Sequence, residues 1–204
     1  VLTNPNAPTG IAVGLDVVER LLQANPDVVV LVDEAYVDFG AESAVELVHK
    51  YENLLVVQTF SKSRSMAGAR LGFAIASEGL IADLEKIKFS TNPYNVNRLT
   101  CAAGIAAIEE NDYYRENCRK IVETRSYTAE KLVELGFKVV PSKANFLFTK
   151  CEKMDGGELY QKLREKGILI RHFDSEKISQ YNRITIGTRE EMDLLLGAIE
   201  EVIG

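Results

Sequence analysis

The sequence has 204 residues, 46% of them hydrophobic, so the chain can bury a core in one large domain or about one and a half. No apolar run approaches the roughly 20 residues needed to cross a bilayer. We expect no secretion signal either, because the sequence shows no basic stretch followed by an apolar one. The formal net charge of −6 argues against non-specific binding to nucleic acid, which needs a basic face.

The first half of the chain alternates apolar runs with helical patterns, which is typical of βα units and of a mostly parallel sheet. Apolar residues at helical spacing predict a helix over residues 17–22. Continuous apolar runs at 28–32 and 54–57 predict strands that are covered on both faces, and 71–76 is a third candidate. Ser43, followed three residues later by Glu46, predicts the start of a short helix.

The second half of the chain has a different pattern. An Asn-Pro-Tyr-Asn turn at 92–95 precedes two predicted helices, at 96–108 and 112–135. The rest predicts an α+β unit with short strands at 139–140, 146–148, 168–170 and 184–186, and with helices at 158–166 and from Thr188 onward. We therefore predict two domains, which cover residues 1–111 and 112–204.

The segment at 59–72 combines the residue types that a reactive site needs. It sets Lys62 after an apolar strand and before a run of hydroxyls, small residues and arginine. A lysine at a strand end can form an imine with an aldehyde, and Ser61, Ser63 and Arg70 would suit a phosphate. Taken alone, the segment could equally be a surface loop in which Arg70 pairs with a carboxylate.

Three motifs occur in order along the chain: Asn-Pro-Asn-Ala-Pro-Thr-Gly at 4–10, Val-Asp-Glu-Ala-Tyr at 32–36, and the lysine segment. Together they resemble the large domain of fold-type I pyridoxal-phosphate (PLP) enzymes, and within that group the histidinol-phosphate aminotransferases. The resemblance extends through Asn-Pro-Tyr-Asn-Val at 92–96 to Arg-Ile-Thr-Ile-Gly-Thr at 183–188. It implies the α/β PLP-dependent transferase (aspartate aminotransferase-like) fold. Residues 1–111 would be the C-terminal portion of the PLP-binding large domain, and residues 112–204 the small α+β C-terminal domain.

The resemblance also implies a set of cofactor-binding residues. Lys62 would hold PLP covalently and carry the substrate proton. Asp33, at the end of a strand, would pair with the pyridine nitrogen, and Tyr36 would bond the ring hydroxyl. Ser61 and Arg70 would bind the phosphate. An Asp that ends a strand could instead be only a helix cap.

The first motif departs from the family pattern. Relatives carry an Asn directly before Pro-Thr-Gly, where it bonds the ring oxygen of the cofactor, and this chain has Ala7 there. Asn6, one residue away, could take over that role through a changed loop. A cis bond before Pro8 would suit the tight turn. Glu34 is interpreted as a solvated or structural carboxylate, because one carboxylate suffices for the ring nitrogen.

Five further residues resemble the substrate side of the family's site. Arg171 and Arg183 correspond to substrate arginines, and two arginines on neighbouring strands can form one anion clamp. Tyr94, Asn95 and Asn145 match the family's substrate-side positions. The arginines could instead be plain surface charges and Asn145 a strand-edge residue. Tyr94 and Asn95 could form only a turn that leads into a helix.

The resemblance implies a cytoplasmic PLP-dependent transaminase that converts L-histidinol phosphate and 2-oxoglutarate to imidazole acetol phosphate and L-glutamate, in histidine biosynthesis. The alternatives are another class I/II aminotransferase, such as an aromatic one, a threonine-phosphate decarboxylase, or a non-catalytic fragment. Enzymes of this family are longer. We therefore expect this chain to be a C-terminal portion that is inactive alone and forms a homodimer when full length.

The cysteines and histidines predict no metal site. Cys101, Cys118 and Cys151 are widely spaced without a CxxC pair, so we expect free thiols in a reducing cytoplasm. His49 and His172 lack the spacing of metal ligands.

Overall fold

The computed structural model describes all residues from Val1 to Gly204 and divides into two units. Unit 1 consists of residues 1–6 and 12–118, and unit 2 consists of residues 7–11 and 119–204. A long helix, Asn111–Glu134, contributes its first residues to unit 1 and the rest to unit 2. The domain boundary between residues 111 and 112 stays a prediction.

A four-stranded sheet forms the centre of unit 1. Its strands, in spatial order, are β1 (Leu2–Thr3), β2 (Val30–Asp33), β3 (Leu54–Thr59) and β4 (Gly72–Ala76). The first three strands are parallel, which confirms the predicted mostly parallel sheet, and β4 runs antiparallel to β3. The carboxyl ends of the parallel strands therefore meet at one edge. We call this edge, formed by Thr3, Asp33, Thr59 and the residues that follow each of them, the strand-end edge.

The core of unit 1 packs one helix against the parallel strands. Helix α1 (Leu15–Ala24) buries Val18 and Leu22 in a cluster with Val32 and Val56. The predicted helix and the two predicted strands are thus confirmed in place. The buried strand residues of the cluster, Val30, Val32, Leu54 and Val56, are alternate positions of β2 and β3, so they lie on one face of the sheet.

The short helix predicted from Ser43 forms a single 3₁₀ turn, Ala44–Leu47, rather than an α-helix. The Ser43 hydroxyl accepts the backbone N–H of Val45, two residues on, instead of the N–H of the third residue. The same hydroxyl donates to the Glu34 carboxylate at 2.7 Å, so it belongs to the network of that carboxylate. In a capping box, the Ser43 hydroxyl would instead accept the backbone N–H of Glu46, the third residue on.

Two helices follow β4 in unit 1. Helix α2 (Glu78–Thr91), which the sequence pattern did not predict, has no buried residue, and its apolar residues form no single stripe. Helix α3 (Arg98–Glu109) confirms the predicted helix, follows the cap residue Asn97 and buries only three residues, all of them small. Together α2 and α3 leave several large apolar side chains exposed: Leu84, Ile87, Phe89, Leu99, Ile105 and Ile108.

Unit 2 contains most of the helix Asn111–Glu134, which is α4, and an antiparallel sheet. The strands are β5 (Phe137–Val140), β6 (Phe146–Cys151), β7 (Arg171–His172) and β8 (Tyr181–Thr185), in the spatial order β5-β6-β8-β7. Helices α5 (Gly156–Glu165) and α6 (Arg189–Ile203) pack into a core with Leu147 and Ile184. The predicted capping box at the start of α6 is present, between Thr188 and Glu191.

The prediction of a strand at 168–170 is wrong, because the observed strand is Arg171–His172. The backbone N–H of Ile168 bonds the carbonyl of Leu163 at 2.9 Å and so closes the C-terminal turn of α5. Gly167, with φ of +80°, allows the chain to leave the helix in this way. Ile168 therefore completes the C-terminal cap of α5, and the strand ladder begins only at Arg171.

None of the helices is both long enough and apolar enough to cross a membrane.

Candidate active site

Asp33 lies at the strand-end edge with half of its carboxylate unused. Its Oδ1 accepts the backbone N–H of Ala35 at 3.0 Å, and Oδ2 has no hydrogen-bond partner in the protein. The N-cap position of the following 3₁₀ turn is Tyr36, and no side chain caps that turn, so Asp33 is not its helix cap. One carboxylate oxygen therefore remains available for a ligand donor.

Glu34, the next residue, is a structural carboxylate. It is 2% exposed, which excludes the solvated alternative. It accepts from Ser43 Oγ at 2.7 Å, from the Ala44 backbone N–H at 2.6 Å and from Gln58 Nε2 at 2.8 Å. A buried carboxylate is tolerated because these three donors replace its water. The network fixes the backbone directly behind Asp33.

Lys62 lies in the turn that follows β3. Its side chain is exposed, and its Nζ lies 5.4 Å from the centre of the Tyr36 ring, without a hydrogen bond or an ion pair. The backbone N–H of Ser65 bonds the Lys62 carbonyl at 3.1 Å, which closes the turn. The structure thus brings together the predicted lysine and tyrosine, which are 26 positions apart in the sequence.

Ser61 and Arg70 reach the same edge from opposite ends of the loop. Thr59 pairs with Gly72 across β3 and β4, so the residues just outside that pair are neighbours at the edge. Ser61 Oγ lies 2.9 Å from Thr59 Oγ1. Arg70 has a left-handed backbone with φ of 55°, a conformation that side-chain-bearing residues rarely adopt. Its exposed guanidinium bonds only the Ala67 carbonyl, at 3.2 Å, so the predicted alternative of a surface salt bridge does not occur.

The first loop is anchored by a residue that the sequence analysis missed. Asn4 is buried, accepts the Val13 backbone N–H at 2.8 Å and donates to the Val13 carbonyl at 3.2 Å. Asn6 donates to the Thr3 hydroxyl at 2.8 Å, which places it at the strand-end edge. The bond before Pro8 is cis as predicted, and the Asn4-Pro5 bond is cis as well.

Tyr94 and Asn95 are not brought to the lysine by any contact. They lie in the exposed connection between α2 and α3, where Tyr94 is 91% exposed. The helix cap is made by Asn97, whose side chain accepts the Thr100 N–H at 2.9 Å. The two residues therefore do not cap α3 themselves, and a substrate role for them stays a prediction.

Within unit 2, Arg171 and Arg183 stand directly opposite each other on β7 and β8. The Arg183 guanidinium lies 5.0 Å from the Phe146 ring centre, and that of Arg171 lies 5.6 Å from the Phe173 ring centre. Arg183 Nε is buried without a hydrogen-bond partner, and neither arginine forms an ion pair. Like charges directly opposite each other on a sheet repel, so this arginine pair favours a bound anion.

Asn145 precedes β6 in unit 2. Its backbone carbonyl accepts the Ile186 N–H at 2.9 Å. The adjacent residue is held by Arg125, which is buried and donates to the Ala144 carbonyl at 2.6 Å. Burial lowers the pKa of Arg125 from its ordinary value. Sequence reasoning missed this arginine, because nothing in its helical surroundings marks it as buried.

The donor set at the strand-end edge fits PLP. The cofactor presents an aldehyde, a pyridine nitrogen and a phosphate. The edge offers a lysine amine without a hydrogen bond or an ion pair, a carboxylate oxygen without a hydrogen bond, an arginine without an ion pair, and the Ser61 hydroxyl. No group of three or more His, Cys, Asp or Glu side chains is arranged to hold a metal ion.

Comparison with known proteins adds three findings. A family model described as "Aminotransferase class I and II" matches residues 1–199. The chain is 53% identical over 203 residues to a histidinol-phosphate aminotransferase of Acinetobacter baumannii (strain AYE), across 100% of the chain and 56% of that relative. It thus spans little more than half of the relative's length.

Solved structures are similar as well. The histidinol-phosphate aminotransferase of Sinorhizobium meliloti, in complex with pyridoxal-5′-phosphate, matches with a TM-score of 0.87 and 30% identity, over 99% of this chain and 56% of that one. The L-threonine-O-3-phosphate decarboxylase of Porphyromonas gingivalis matches with a TM-score of 0.83 and 26% identity, over 98% of this chain and 62% of that one.

Proposed function

The chain belongs to the class I and II aminotransferase family, and on this premise we propose that it carries part of the active site of a PLP-dependent histidinol-phosphate aminotransferase. The full protein would convert L-histidinol phosphate and 2-oxoglutarate to imidazole acetol phosphate and L-glutamate, a step of histidine biosynthesis. The observation that carries the proposal is the Lys62 amine, which lies over the Tyr36 ring without a hydrogen bond or an ion pair, at the same edge as the free oxygen of Asp33. The 53% identity to a relative of that name supports the choice of substrate.

Six residues of unit 1 would hold the cofactor. Lys62 Nζ would bind the aldehyde carbon, and Asp33 Oδ2 would accept a hydrogen bond from the protonated pyridine nitrogen. Tyr36 would bond the ring hydroxyl, and Ser61 and Arg70 would bind the phosphate. Asn6 would contact the ring in place of the asparagine that Ala7 replaces. When bound, PLP supplies an electron sink for the bonds at the substrate's α-carbon.

The residues of this chain would then move protons and bind charge. Once substrate displaces it, the Lys62 amine would take the proton from the substrate carbon and return it at the next step. Asp33 would keep the pyridine nitrogen protonated throughout. Arg171 and Arg183 would bind the phosphate of histidinol phosphate, and then a carboxylate of glutamate or 2-oxoglutarate. We assign Tyr94, Asn95 and Asn145 to the substrate as well.

Two further proposals concern the oligomeric state and the cellular location of the full-length protein. We propose that the full-length protein forms a homodimer, which the exposed apolar side chains of α2 and α3 support. We propose a reducing cytoplasm as its location, because all three cysteines are unpaired.

A decarboxylase that acts on a phosphorylated amino acid is the second candidate, because a solved decarboxylase of that kind also matches nearly the whole chain. Both activities need the lysine, the carboxylate and an anion site. They differ in their products, since a decarboxylase releases carbon dioxide and a transaminase passes nitrogen to 2-oxoglutarate.

The test loads the protein with PLP, reduces it with borohydride and maps the labelled peptide. We expect a phosphopyridoxyl group on Lys62 and none on the exposed lysines Lys86 and Lys88 of α2. Label on another lysine would refute the assignment. Transfer of ¹⁵N from labelled histidinol phosphate to glutamate, measured beside a full-length relative, tests the substrate, and carbon dioxide release from threonine phosphate tests the second candidate.

A further inference from the structure

Arg64, two residues after Lys62, ties the turn at residues 60–66, which we call the lysine turn, to the end of α3 and to the first residue of α4. Its Nη1 donates to the Ala107 carbonyl at 3.2 Å, in the last turn of α3. Its Nη2 donates to Asn111 Oδ1 at 2.7 Å, on the first residue of α4. The guanidinium also lies 5.2 Å from the centre of the Tyr114 ring. One side chain therefore bonds both sides of the α3–α4 junction.

The lysine turn needs such an anchor, because few bonds of its own hold it. Two backbone bonds close it, from Ser65 N–H to the Lys62 carbonyl at 3.1 Å and from Met66 N–H to the Phe60 carbonyl at 3.0 Å. Ser65 has φ of 55°, which costs of the order of 1 kcal/mol and persists only where the surroundings enforce it. Ser65 is itself exposed, so the enforcing contact must come from a neighbour.

The chemistry of the contact suits a fixed anchor. Carbonyls in the last turn of a helix carry partial negative charge and favour a cation. A planar guanidinium can bond two acceptors in fixed directions, and a lysine ammonium cannot reproduce that fork. The ring of Tyr114 adds a cation–π contact on one side.

We propose that Arg64 is a positioning residue, which holds the turn in the conformation that aims Lys62 at the cofactor without touching the cofactor itself. The proposal rests on the role given above to Lys62. The geometry of the anchor, by contrast, exists in the protein without ligand and can be tested there.

Amide hydrogen exchange tests the anchor. Arg64→Met keeps most of the side-chain length and removes every donor. It should accelerate exchange of the Ser65 and Met66 amide hydrogens by about tenfold or more, as expected when a charge-assisted hydrogen bond is lost from a local opening equilibrium. The matched control is Arg20→Met, an exposed arginine on α1 that pairs with Asp16. It should leave both amides unchanged, and so should Arg64→Met for the amides of β2.

Two further variants separate the anchor from a general loss of stability. Asn111→Ala leaves Arg64 in place and removes only the 2.7 Å bond, so it should produce a smaller acceleration at the same two amides. Arg64→Lys keeps the charge without the fork and should resemble Arg64→Met more than wild type. Exchange at Ser65 and Met66 that stays within about twofold of wild type in both Arg64→Met and Asn111→Ala would overturn the proposal.

PLP labelling then links the anchor to Lys62. At limiting PLP, Arg64→Met should lower the borohydride-trapped label on Lys62 severalfold, whereas Arg20→Met should not. Faster exchange with unchanged labelling would show that Arg64 is only structural and would overturn its positioning role. Absence of label on Lys62 in the wild-type protein would refute the proposed function, and the exchange data would still decide whether the anchor exists.

Discussion

The strand-end edge of unit 1 and the arginine pair of unit 2 present their functional groups in different ways. At the edge, Asp33 ends a strand, Lys62 and Arg70 lie just after or just before one, and their side chains make few bonds. The arginine pair lies within β7 and β8, and the register of those strands sets the two residues opposite each other. The positions of the edge side chains thus depend on contacts that hold the loops, whereas the positions of the two arginines depend on the hydrogen-bonded ladder of β7 and β8.

This difference separates chemistry from stability in the two regions. A substitution of an edge side chain removes a reactive group and little packing, so it should impair function first. A substitution among the residues that hold β7 in register should weaken the fold first and the anion site as a result.

Asp33→Asn should have the largest effect on turnover and one of the smallest on folding. Asn keeps an oxygen for the Ala35 N–H, so the free energy of unfolding should change by less than about 0.5 kcal/mol. Losing the charge at the pyridine nitrogen should slow amine transfer by about 10²-fold or more in the full-length enzyme. Stopped-flow measurement of the half-reaction with glutamate gives the rate. The control is Asp38→Asn, an exposed carboxylate five residues on, and near-normal turnover in Asp33→Asn would contradict the assignment.

Arg183→Met should have the next largest effect, on anion affinity alone. Removing a charge-assisted donor should weaken phosphate or glutarate binding about ten- to hundredfold. Stability should change little, because the buried Nε has no hydrogen bond to lose and the lost contact with the Phe146 ring is offset by relief of the repulsion with Arg171. Titration calorimetry and urea unfolding measure the two quantities. Arg164→Met, an exposed arginine on α5, is the control, and weaker PLP binding with unchanged anion binding in Arg183→Met would mean that the arginine serves the cofactor.

The edge was predictable from sequence, because its residues belong to contiguous motifs. Asp33 and Lys62 follow apolar runs with clear strand character, and parallel strands bring their carboxyl ends together. Arg70 precedes the next apolar run, whose strand is antiparallel to β3 and therefore begins at the same edge. The anchor Arg64 was not predictable as an anchor, since its acceptors, Ala107 and Asn111, lie more than 40 residues further along the chain.

The register of the arginine pair could not be predicted. The apolar residues at 168–170 favour a strand, yet the N–H of Ile168 is used to end α5, and the ladder begins at Arg171. A two-residue strand carries no periodicity of its own. Helix α2 was missed for a related reason, because it buries nothing and so has no apolar stripe.

Asn182→Ala should test the ladder directly. Asn182 is 1% exposed, donates to the Gly156 carbonyl at 2.9 Å, and lies opposite His172 with Oδ1 3.2 Å from the His172 Nδ1. Since Nδ2 faces a carbonyl, Oδ1 is an acceptor and the ring nitrogen must donate. Truncation leaves both partners unsatisfied and should cost about 2 kcal/mol of unfolding free energy, measured in urea.

The same variant should weaken phosphate binding less than Arg183→Met does, because it loosens β7 without removing a guanidinium. Thr185→Ala, an exposed position at the end of β8, is the control. Loss of anion binding at full stability would show that Asn182 belongs to the anion site rather than to the ladder.

Asp155→Ala should have the smallest effect, and a dependence on pH identifies it. The pKa of Asp155 is lowered from its ordinary value of 3.8, first by the bond from the Gln180 side chain and then by the backbone N–H groups of Glu158 and Gly157 at the start of α5. A carboxyl whose pKa falls on folding contributes its stability above the unfolded pKa, and that contribution is lost as the pH drops through the lower, folded pKa. Loss of the cap should therefore cost about 1 kcal/mol at pH 7. The gap between wild type and Asp155→Ala should close in acid, below pH 3.8. Asp155→Asn retains a cap acceptor without a titrating proton, so urea unfolding at several pH values should show its gap to wild type shifting in acid. Parallel stability curves for all three proteins would mean that the carboxylate charge adds nothing to the cap.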